Sequence, residues 1–250
     1  MRVAIFSDAH GNLTALNAVL EDIKRMDLDA AIFAGDLCVF GPRPAECVDS
    51  LLAAGCAALY GNTDGWVLGW HEPPARYQEL AAWTGEQLNS AQRAWLDGLP
   101  FEIRIEPPDG GDTLLVVHAN PQDVDQLIFP PEAEQRRRYN EVRQPDSDLA
   151  AIMDGCEARH VAFGHLHLPF VRLWRTKTLY NISSVSMPGD GDGRAKYGVF
   201  SWSGEDWSFE HHFVAYDASG EADAFRHRRP PGWEAFAESI KTLGYVPQNV

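Results

Sequence analysis

Seven polar side chains that can bind metal ions lie at the ends of short apolar runs in the sequence. Five runs end this way, and the residues concerned are Asp8, His10, Asp36, Asn62, His118, His165 and His167. If the runs are neighbouring parallel strands, their carboxyl ends meet at one edge and bring these side chains together. The pattern predicts a metal centre at that edge, with Asp36 at its middle.

The number of these residues indicates more than one ion. A tetrahedral zinc site takes four ligands, whereas seven ligands with one shared carboxylate suit two divalent ions about 3.5–4 Å apart. We expect Asp36 to bridge the two ions. Asp8 and His10 are two residues apart, as are His165 and His167, and on an extended segment such pairs project to the same side.

The donor types indicate the ions and the chemistry. Nitrogen and oxygen donors without a thiolate suit Mn, Fe, Zn, Ni or Co better than copper(I) or an iron–sulfur cluster. Two divalent ions would keep the site positive with Asp8 and Asp36 ionised, although the whole chain carries a net charge of −15. They would lower the pKa of bound water toward ~7. We therefore expect the site to attract a phosphate ester and to direct a hydroxide at its phosphorus.

The elements that position these residues begin as a doubly wound sheet. Apolar runs predict strands at 2–7, 30–34 and 56–60. Between the first two, apolar residues recur at helical spacing after Asn12, a predicted N-cap, and residues 45–54 predict the next helix. A strand–helix–strand unit implies parallel neighbours.

The pattern changes along the rest of the chain. Residues 66–100 predict helices, 122–141 form a polar segment, and 149–156 predict a short helix. Further strands are predicted at 101–106, 113–117, 170–175, 178–182, 197–202 and 207–213, with one more helix near 233–243. We predict a single domain over 1–250, built from two mixed β-sheets with helices outside and with cap or insert segments near 66–100 and 120–150.

Composition narrows the class of protein. Asp and Glu outnumber Lys and Arg by 36 to 21, which argues against a dedicated nucleic-acid binder. No apolar run approaches the ~20 residues of a membrane span. The first strand starts at Arg2, so we expect no signal peptide. The four cysteines form no C-x-x-C pair, and we expect reduced core thiols in a cytoplasmic protein.

The ordered motifs resemble those of calcineurin-like metallophosphoesterases. The matching parts are Asp8-x-His10, Gly35-Asp36, Gly61-Asn62-x-Asp64, His118 and Gly164-His165-x-His167. Residues 181–188 also resemble the Asn-Pro-Gly-Ser-Val segment of the small bacterial phosphodiesterase branch, with Ile182 and Ser183 in place of Pro and Gly. The resemblance implies an α/β fold, a four-layer α/β/β/α sandwich.

The resemblance also implies a division of the ligands. One ion would take Asp8, His10, Asp36 and His167, and the other Asp36, Asn62, His118 and His165. Mn²⁺ is the expected metal, with Fe, Zn, Ni or Co as alternatives, and Asp36, Asn62 and His118 are the expected catalytic residues. The implied activity is hydrolysis of a phosphodiester on a small substrate by a metal-bridging hydroxide.

One position departs from the family pattern. Many members have histidine after Gly-Asn, whereas this chain has Thr63, which cannot donate a proton near pH 7 as imidazole does. His71 is an alternative acid. We therefore predict a preference for phosphodiesters or aryl phosphates over alkyl phosphomonoesters. A phosphoprotein or nucleotide phosphatase and a catalytically weak metal-binding scaffold are the alternatives, and the oligomeric state stays open, with a homodimer as one option.

Other conspicuous residues have two interpretations each. Asp64 either orients a ligand or caps a helix. Arg136–Arg138 is expected to be a solvated helix face rather than a phosphate clamp. The segment 189–193 is expected to be a turn rather than a calcium loop, and His211 and His212 need no functional role. Core packing is the expected role of Trp66, Trp70, Trp83 and Trp95, with nucleotide stacking as the alternative.

Overall fold

The structure, a computed structural model, describes residues 1–241. The strands in this range are Arg2–Phe6 (β1), Ala30–Ala34 (β2), Ala57–Leu59 (β3), Glu102–Ile105 (β4), Leu114–Val117 (β5), His160–Phe163 (β6), Pro169–Trp174 (β7), Lys177–Ile182 (β8), Ala195–Trp202 (β9) and Trp207–Val214 (β10). The helices are Leu13–Lys24 (α1), Pro44–Ala54 (α2), Asn62–Leu68 (α3), Gln78–Gln87 (α4), Ser90–Asp97 (α5), Glu132–Tyr139 (α6), Leu149–Ile152 (α7), Ala218–Arg228 (α8) and Trp233–Lys241 (α9). A 3₁₀ turn, Ala75–Tyr77, precedes α4.

The strands form two mixed sheets of five, in the orders β10-β9-β1-β2-β3 and β4-β5-β6-β8-β7. In the first sheet β1, β2 and β3 are parallel, with Phe6 level with Phe33. In the second, β5, β6 and β8 are parallel, with Val116 level with Ala162. The loops that follow these strands therefore start at the same height, which is the condition for a shared site at the strand ends.

Side chains alternate between the two faces of each strand, and each face packs against a different layer of the fold. Val3 and Ile5 of β1 belong to an apolar cluster that also contains Val116 and Ala162 of the other sheet, so the two sheets pack face to face. Ala4 and Phe6 point to the opposite face and join a cluster with the inward residues of α1 and α2. Residues of α7 cover the outer face of the second sheet. The predicted four-layer α/β/β/α sandwich is confirmed.

One helix escaped prediction. Helix α8 buries Glu221 beside Ala222 and Phe225, so its inward stripe is short and partly polar. Glu221 pairs with Arg43 and accepts a hydrogen bond of 2.6 Å from the Thr14 hydroxyl. The predicted helix near 233–243 is present as α9 up to Lys241, and its last two predicted residues lie outside the described range.

Three further predictions concern the chain as a whole. Cys38 and Cys47 are buried free thiols as expected, whereas Cys56 and Cys156 are partly exposed. None of the helices within residues 1–241 is long and apolar enough to span a membrane. The segments near 66–100 and 120–150 contain α4, α5 and α6, and their interpretation as inserts of a single domain stays a prediction.

Candidate metal centre

The backbone is left-handed at five of the seven predicted ligands. Asp8, His10, Asp36, His165 and His167 have φ values of 59°, 48°, 61°, 61° and 61°. The expectation that each i, i+2 pair projects from an extended segment is therefore wrong. Such backbone costs of order 1–3 kcal/mol per residue and persists only where the surroundings fix it. Here the amides of Asp8 and His10 donate to the carbonyls of Gly35 and Asp36, at 2.9 and 3.0 Å.

The side chains nevertheless converge in two clusters, which are buried except for the partly exposed His165. One contains Asp8, His10 and His167 and the other Asp36, His118 and His165, and within each cluster the candidate ligand atoms lie within 4.8 Å of one another. Asn62 joins the second cluster, because its Oδ1 lies 3.1 Å from His118 Nε2. Thus all seven residues singled out in the sequence meet in one region, and His165 and His167 divide between the clusters.

Asp36 belongs to the second cluster and also faces the first. Its Oδ2 is 3.7 Å from His10 Nε2 and 3.4 Å from His118 Nε2. Its other oxygen, Oδ1, accepts a hydrogen bond of 2.9 Å from the Thr63 amide. One carboxylate oxygen therefore faces a histidine of each cluster while the other is anchored to the backbone.

Backbone carbonyls orient the histidine rings. Nδ1 of His10, His118 and His167 lies 3.1, 2.8 and 2.9 Å from the carbonyl oxygens of Val39, Ala34 and Met187. A ring that donates through Nδ1 presents the lone pair of Nε2. His165 is reversed, because its Nε2 lies 2.8 Å from the Asp125 carbonyl, which leaves Nδ1 for the second cluster.

The charge balance of the centre favours cations. Burial lowers the pKa of His10 to about 4, so this ring is a neutral donor. Burial also opposes charge on His118, but the adjacent Asp36 carboxylate raises the pKa of that ring to about 10. Against its own burial, Asp36 has a pKa well below the usual value because His118 and His10 face it. Buried carboxylates that draw positive charge, with nitrogen donors and an amide oxygen around them, fit two divalent ions.

Comparison with known proteins decides the family. Residues 1–205 match the family model described as the calcineurin-like phosphoesterase superfamily domain. The chain belongs to that superfamily. The predicted resemblance is confirmed, and the superfamily's dimetal chemistry corresponds to the two candidate clusters.

Individual relatives match over nearly the whole chain. The uncharacterised protein MJ0912 of Methanocaldococcus jannaschii is 29% identical over 251 residues, covering 92% of this chain and 94% of that protein. A metallophosphoesterase structure from Sphaerobacter thermophilus is 25% identical, with a TM-score of 0.75 and coverage of 97% and 98% of the two chains. The hypothetical protein PH1004 of Pyrococcus horikoshii OT3 has the same fold, at 19% identity, a TM-score of 0.76 and coverage of 99% of each chain.

Asp64 makes both kinds of contact that its position suggested. Its carboxylate accepts hydrogen bonds from the amides of Asp36, Leu37 and Gly61, at 2.9, 3.0 and 3.0 Å. The bond to Gly61 caps α3, which starts at Asn62. The other two fix the backbone of the central carboxylate. Asp64 thus connects two loops that carry candidate ligands.

The segment 181–188 makes hydrogen bonds to residues of both clusters or to their immediate neighbours. Asn181 Nδ2 donates to the carbonyl of Gly164 at 2.7 Å, next to His165. Ser184 Oγ donates to the Asp8 carbonyl at 3.0 Å. Met187 supplies the carbonyl that orients His167. The sequence singled out this segment only through its resemblance, and its role lies in contacts with loops far away in the chain.

Gly164 leaves room for the Asp8 carboxylate. A Cβ at this position would overlap Asp8 Oδ2 and the Ser7 hydroxyl. We expect Gly164→Ala to displace Asp8, to destabilise the fold by ~1–3 kcal/mol as overpacking does, and to lower metal binding. Thermal unfolding with and without Mn²⁺ measures both effects.

Gly98→Ala is the matched control for that substitution. A Cβ there would meet its nearest atoms at 3.6 Å, an ordinary contact. We expect this variant to keep the wild-type unfolding temperature and Mn²⁺ response. Equal behaviour of the two variants would contradict the steric role of Gly164.

A pocket of about 320 Å³ opens beside the clusters. Its wall contains His10, Asp36, Asn62, His165 and His167 together with side chains from four other segments. Phe40, Arg76 and Tyr77 line it and were not singled out in the sequence, because nothing in their local pattern marks them. Trp66 also lines it, so the core-packing interpretation is incomplete for that residue.

The other conspicuous residues lie outside this pocket. Trp83 and Trp95 pack against the apolar cluster under the first sheet, and Trp70 is exposed. Arg136 and Arg138 pair with Glu132 and Glu134 one helical turn away. Asp190 and Asp192 pair with Lys196 and Arg194. His71 is exposed beside Gly65, and His211 bonds to the Asn181 carbonyl at 2.8 Å.

Proposed function

We propose that this protein hydrolyses phosphate esters with two divalent cations, and that phosphodiesters are its preferred substrates. The observation that carries the proposal is the position of Asp36, whose Oδ2 faces His10 of one cluster and His118 of the other. Divalent ions supply a nucleophile from water at neutral pH and stabilise negative charge on the phosphate oxygens.

The candidate ligands are assigned to two ions according to the cluster in which they lie. Asp8, His10 and His167 would hold one ion, Asn62, His118 and His165 the other, and Asp36 both. Mn²⁺ is the preferred ion in this proposal, with Fe, Zn, Ni or Co as alternatives. Asp36, Asn62 and His118 are the proposed catalytic residues, because they meet where the two clusters adjoin.

The surroundings of Thr63 support the preference for diesters. Its side chain lines the pocket, and its buried hydroxyl has no hydrogen-bond partner among the residues described. His71 does not line the pocket. The leaving group therefore departs without a side chain at this position that can protonate it near pH 7, and acidic leaving groups are favoured.

The experiment compares substrates at equal metal loading. We expect Mn²⁺-dependent hydrolysis of bis(p-nitrophenyl) phosphate and rates that fall steeply as the leaving-group pKa rises in a series of aryl methyl phosphates. O-phosphoserine should be the poorest substrate. Faster turnover of O-phosphoserine than of the activated diester would contradict the preference, and full activity in chelator-treated protein would contradict the metal mechanism.

The pocket volume supports a small substrate. A space of about 320 Å³ is at the lower end of the range for small-molecule sites, which favours a small ester over a phosphoprotein. The proposal also includes a cytoplasmic location and the lack of dedicated nucleic-acid binding. It leaves the oligomeric state undecided, with a homodimer as one option. Stoichiometric metal binding without hydrolysis of any ester would instead favour the scaffold alternative.

A further inference from the structure

An aromatic wall runs outward from the metal centre. The Phe40 ring lies 5.1 Å from the ring of His10, 4.9 Å from Tyr77 and 6.2 Å from Trp66. Trp66 and Tyr77 are nearly parallel, with an angle of 21° between their planes. All three rings line the pocket and are only partly buried. Aromatic surface is therefore available directly beside a candidate metal ligand.

Phe40 holds its place in a strained conformation. Its φ is 84°, a region that bulky residues rarely adopt. The ring contacts Phe236 as well as the other members of the wall, at 5.7 Å. Strained backbone clusters at functional sites because the surroundings must enforce it. The strain at Phe40 fits a requirement for a ring at this point of the pocket.

Arg76 brings a positive charge to the same wall. It is the one lysine or arginine that lines the pocket within residues 1–241. Its guanidinium lies 4.7 Å from the centre of the Tyr77 ring, and no carboxylate of the described residues forms an ion pair with it. An exposed guanidinium stacked on an aromatic ring keeps its fork of donors free for a carboxylate or phosphate.

The remaining wall is mainly apolar. Leu127, Leu166 and Met187 face the pocket along with Phe236, and Leu166 and Met187 are themselves buried. A planar ring stacks on aromatic side chains whatever its pattern of polar edge groups. A second anionic group on such a ligand would find Arg76 beside the stacking surface.

We propose that the pocket selects phosphate esters that carry a planar aromatic group, such as a nucleobase or aryl ring, and a second anionic group. The aromatic group packs on Phe40, Trp66 and Tyr77, and Arg76 binds the second anion. This proposal rests on the proposed function, since the ester must reach the two metal clusters to react.

Three substrates with one leaving group test both parts. Methyl p-nitrophenyl phosphate carries only the leaving-group ring that all three substrates share, the p-nitrophenyl ester of thymidine 5′-phosphate adds a base outside the leaving group, and its 3′-phosphorylated form adds the second anion. At saturating Mn²⁺ we expect kcat/KM to rise about tenfold at each step, which corresponds to about 1.36 kcal/mol of transition-state stabilisation per step. Trp66→Leu should reduce the first ratio about tenfold while Trp66→Phe keeps most of it, and Arg76→Gln should bring the second ratio close to one.

Matched controls separate these effects from general damage. Trp70 is exposed and outside the pocket, so Trp70→Leu should preserve the first ratio. Arg175 lies 4.4 Å from the Trp174 ring, the same kind of contact elsewhere on the surface, so Arg175→Gln should preserve the second. Wild-type ratios near one, or ratios unchanged in Trp66→Leu and Arg76→Gln, would overturn the proposal while leaving phosphoester hydrolysis intact.

A binding measurement distinguishes failure of the pocket from failure of the activity. Calorimetric titration of the Mn²⁺-loaded protein with thymidine 3′,5′-bisphosphate needs no turnover. Binding that weakens about tenfold in Trp66→Leu and in Arg76→Gln would support the pocket even if no ester were hydrolysed. Affinity no higher than for inorganic phosphate would overturn it.

Discussion

Replacing Asp36 by asparagine is expected to lower kcat/KM for bis(p-nitrophenyl) phosphate about a thousandfold, which corresponds to ~4 kcal/mol of transition-state stabilisation. The reason is the position of one oxygen, Asp36 Oδ2, 3.7 Å from His10 Nε2 and 3.4 Å from His118 Nε2. An amide keeps the size of the side chain and an acceptor for the Thr63 amide, but it loses the charge that both clusters share. Steady-state kinetics and elemental analysis of bound Mn²⁺ measure the two consequences.

The control for this variant is an exposed aspartate. Asp97→Asn, at the end of α5, should retain both activity and metal content. Circular dichroism and thermal unfolding show whether Asp36→Asn is folded. A folded Asp36→Asn protein with wild-type kcat/KM would refute the shared-carboxylate mechanism, and one that binds two Mn²⁺ with wild-type affinity would refute the bridging role.

Replacing Asp64 by alanine is expected to damage stability and activity together. Three buried amides, those of Asp36, Leu37 and Gly61, would lose their acceptor. An unsatisfied buried group costs ~1–3 kcal/mol, so the free energy of unfolding should fall by about 3 kcal/mol or more. Because two of these amides fix the loop of Asp36, metal affinity or kcat/KM should also fall about 10–100-fold.

A capping aspartate elsewhere provides the comparison. Asp217 accepts a hydrogen bond of 2.9 Å from the Gly220 amide at the start of α8. Asp217→Ala should cost ~0.5–2 kcal/mol and leave metal binding and kinetics unchanged. If Asp64→Ala lost stability only to this extent and kept wild-type kinetics, Asp64 would be a helix cap without a positioning role. Denaturant titration and Mn²⁺ titration distinguish the two.

The sequence anticipated most of the fold because the signals are local. Apolar runs of β1, β2 and β3 alternate with amphipathic helices, and such a unit has few topologies available. The bounds of β2 are as predicted, and those of the other predicted strands differ by one or two residues at an end. Helix α8 was missed because its inward face includes Glu221, whose partners Thr14 and Arg43 are about 200 residues away. From the sequence alone a charged residue is expected to be exposed, because the partner that allows its burial is not evident.

The sequence by itself identified the candidate site residues, since five apolar runs each end in one or two side chains with suitable donor atoms. The tertiary structure alone decided how they work together. His165 and His167 are two residues apart in the chain yet lie in different clusters, and the contact with the Asp125 carbonyl orients the His165 ring the opposite way from the other histidine rings. The wall of Phe40, Trp66, Tyr77 and Arg76 likewise exists only after folding. The physical reason is that donor type is a property of one residue, whereas orientation, charge balance and pocket shape depend on contacts between loops far apart in the sequence.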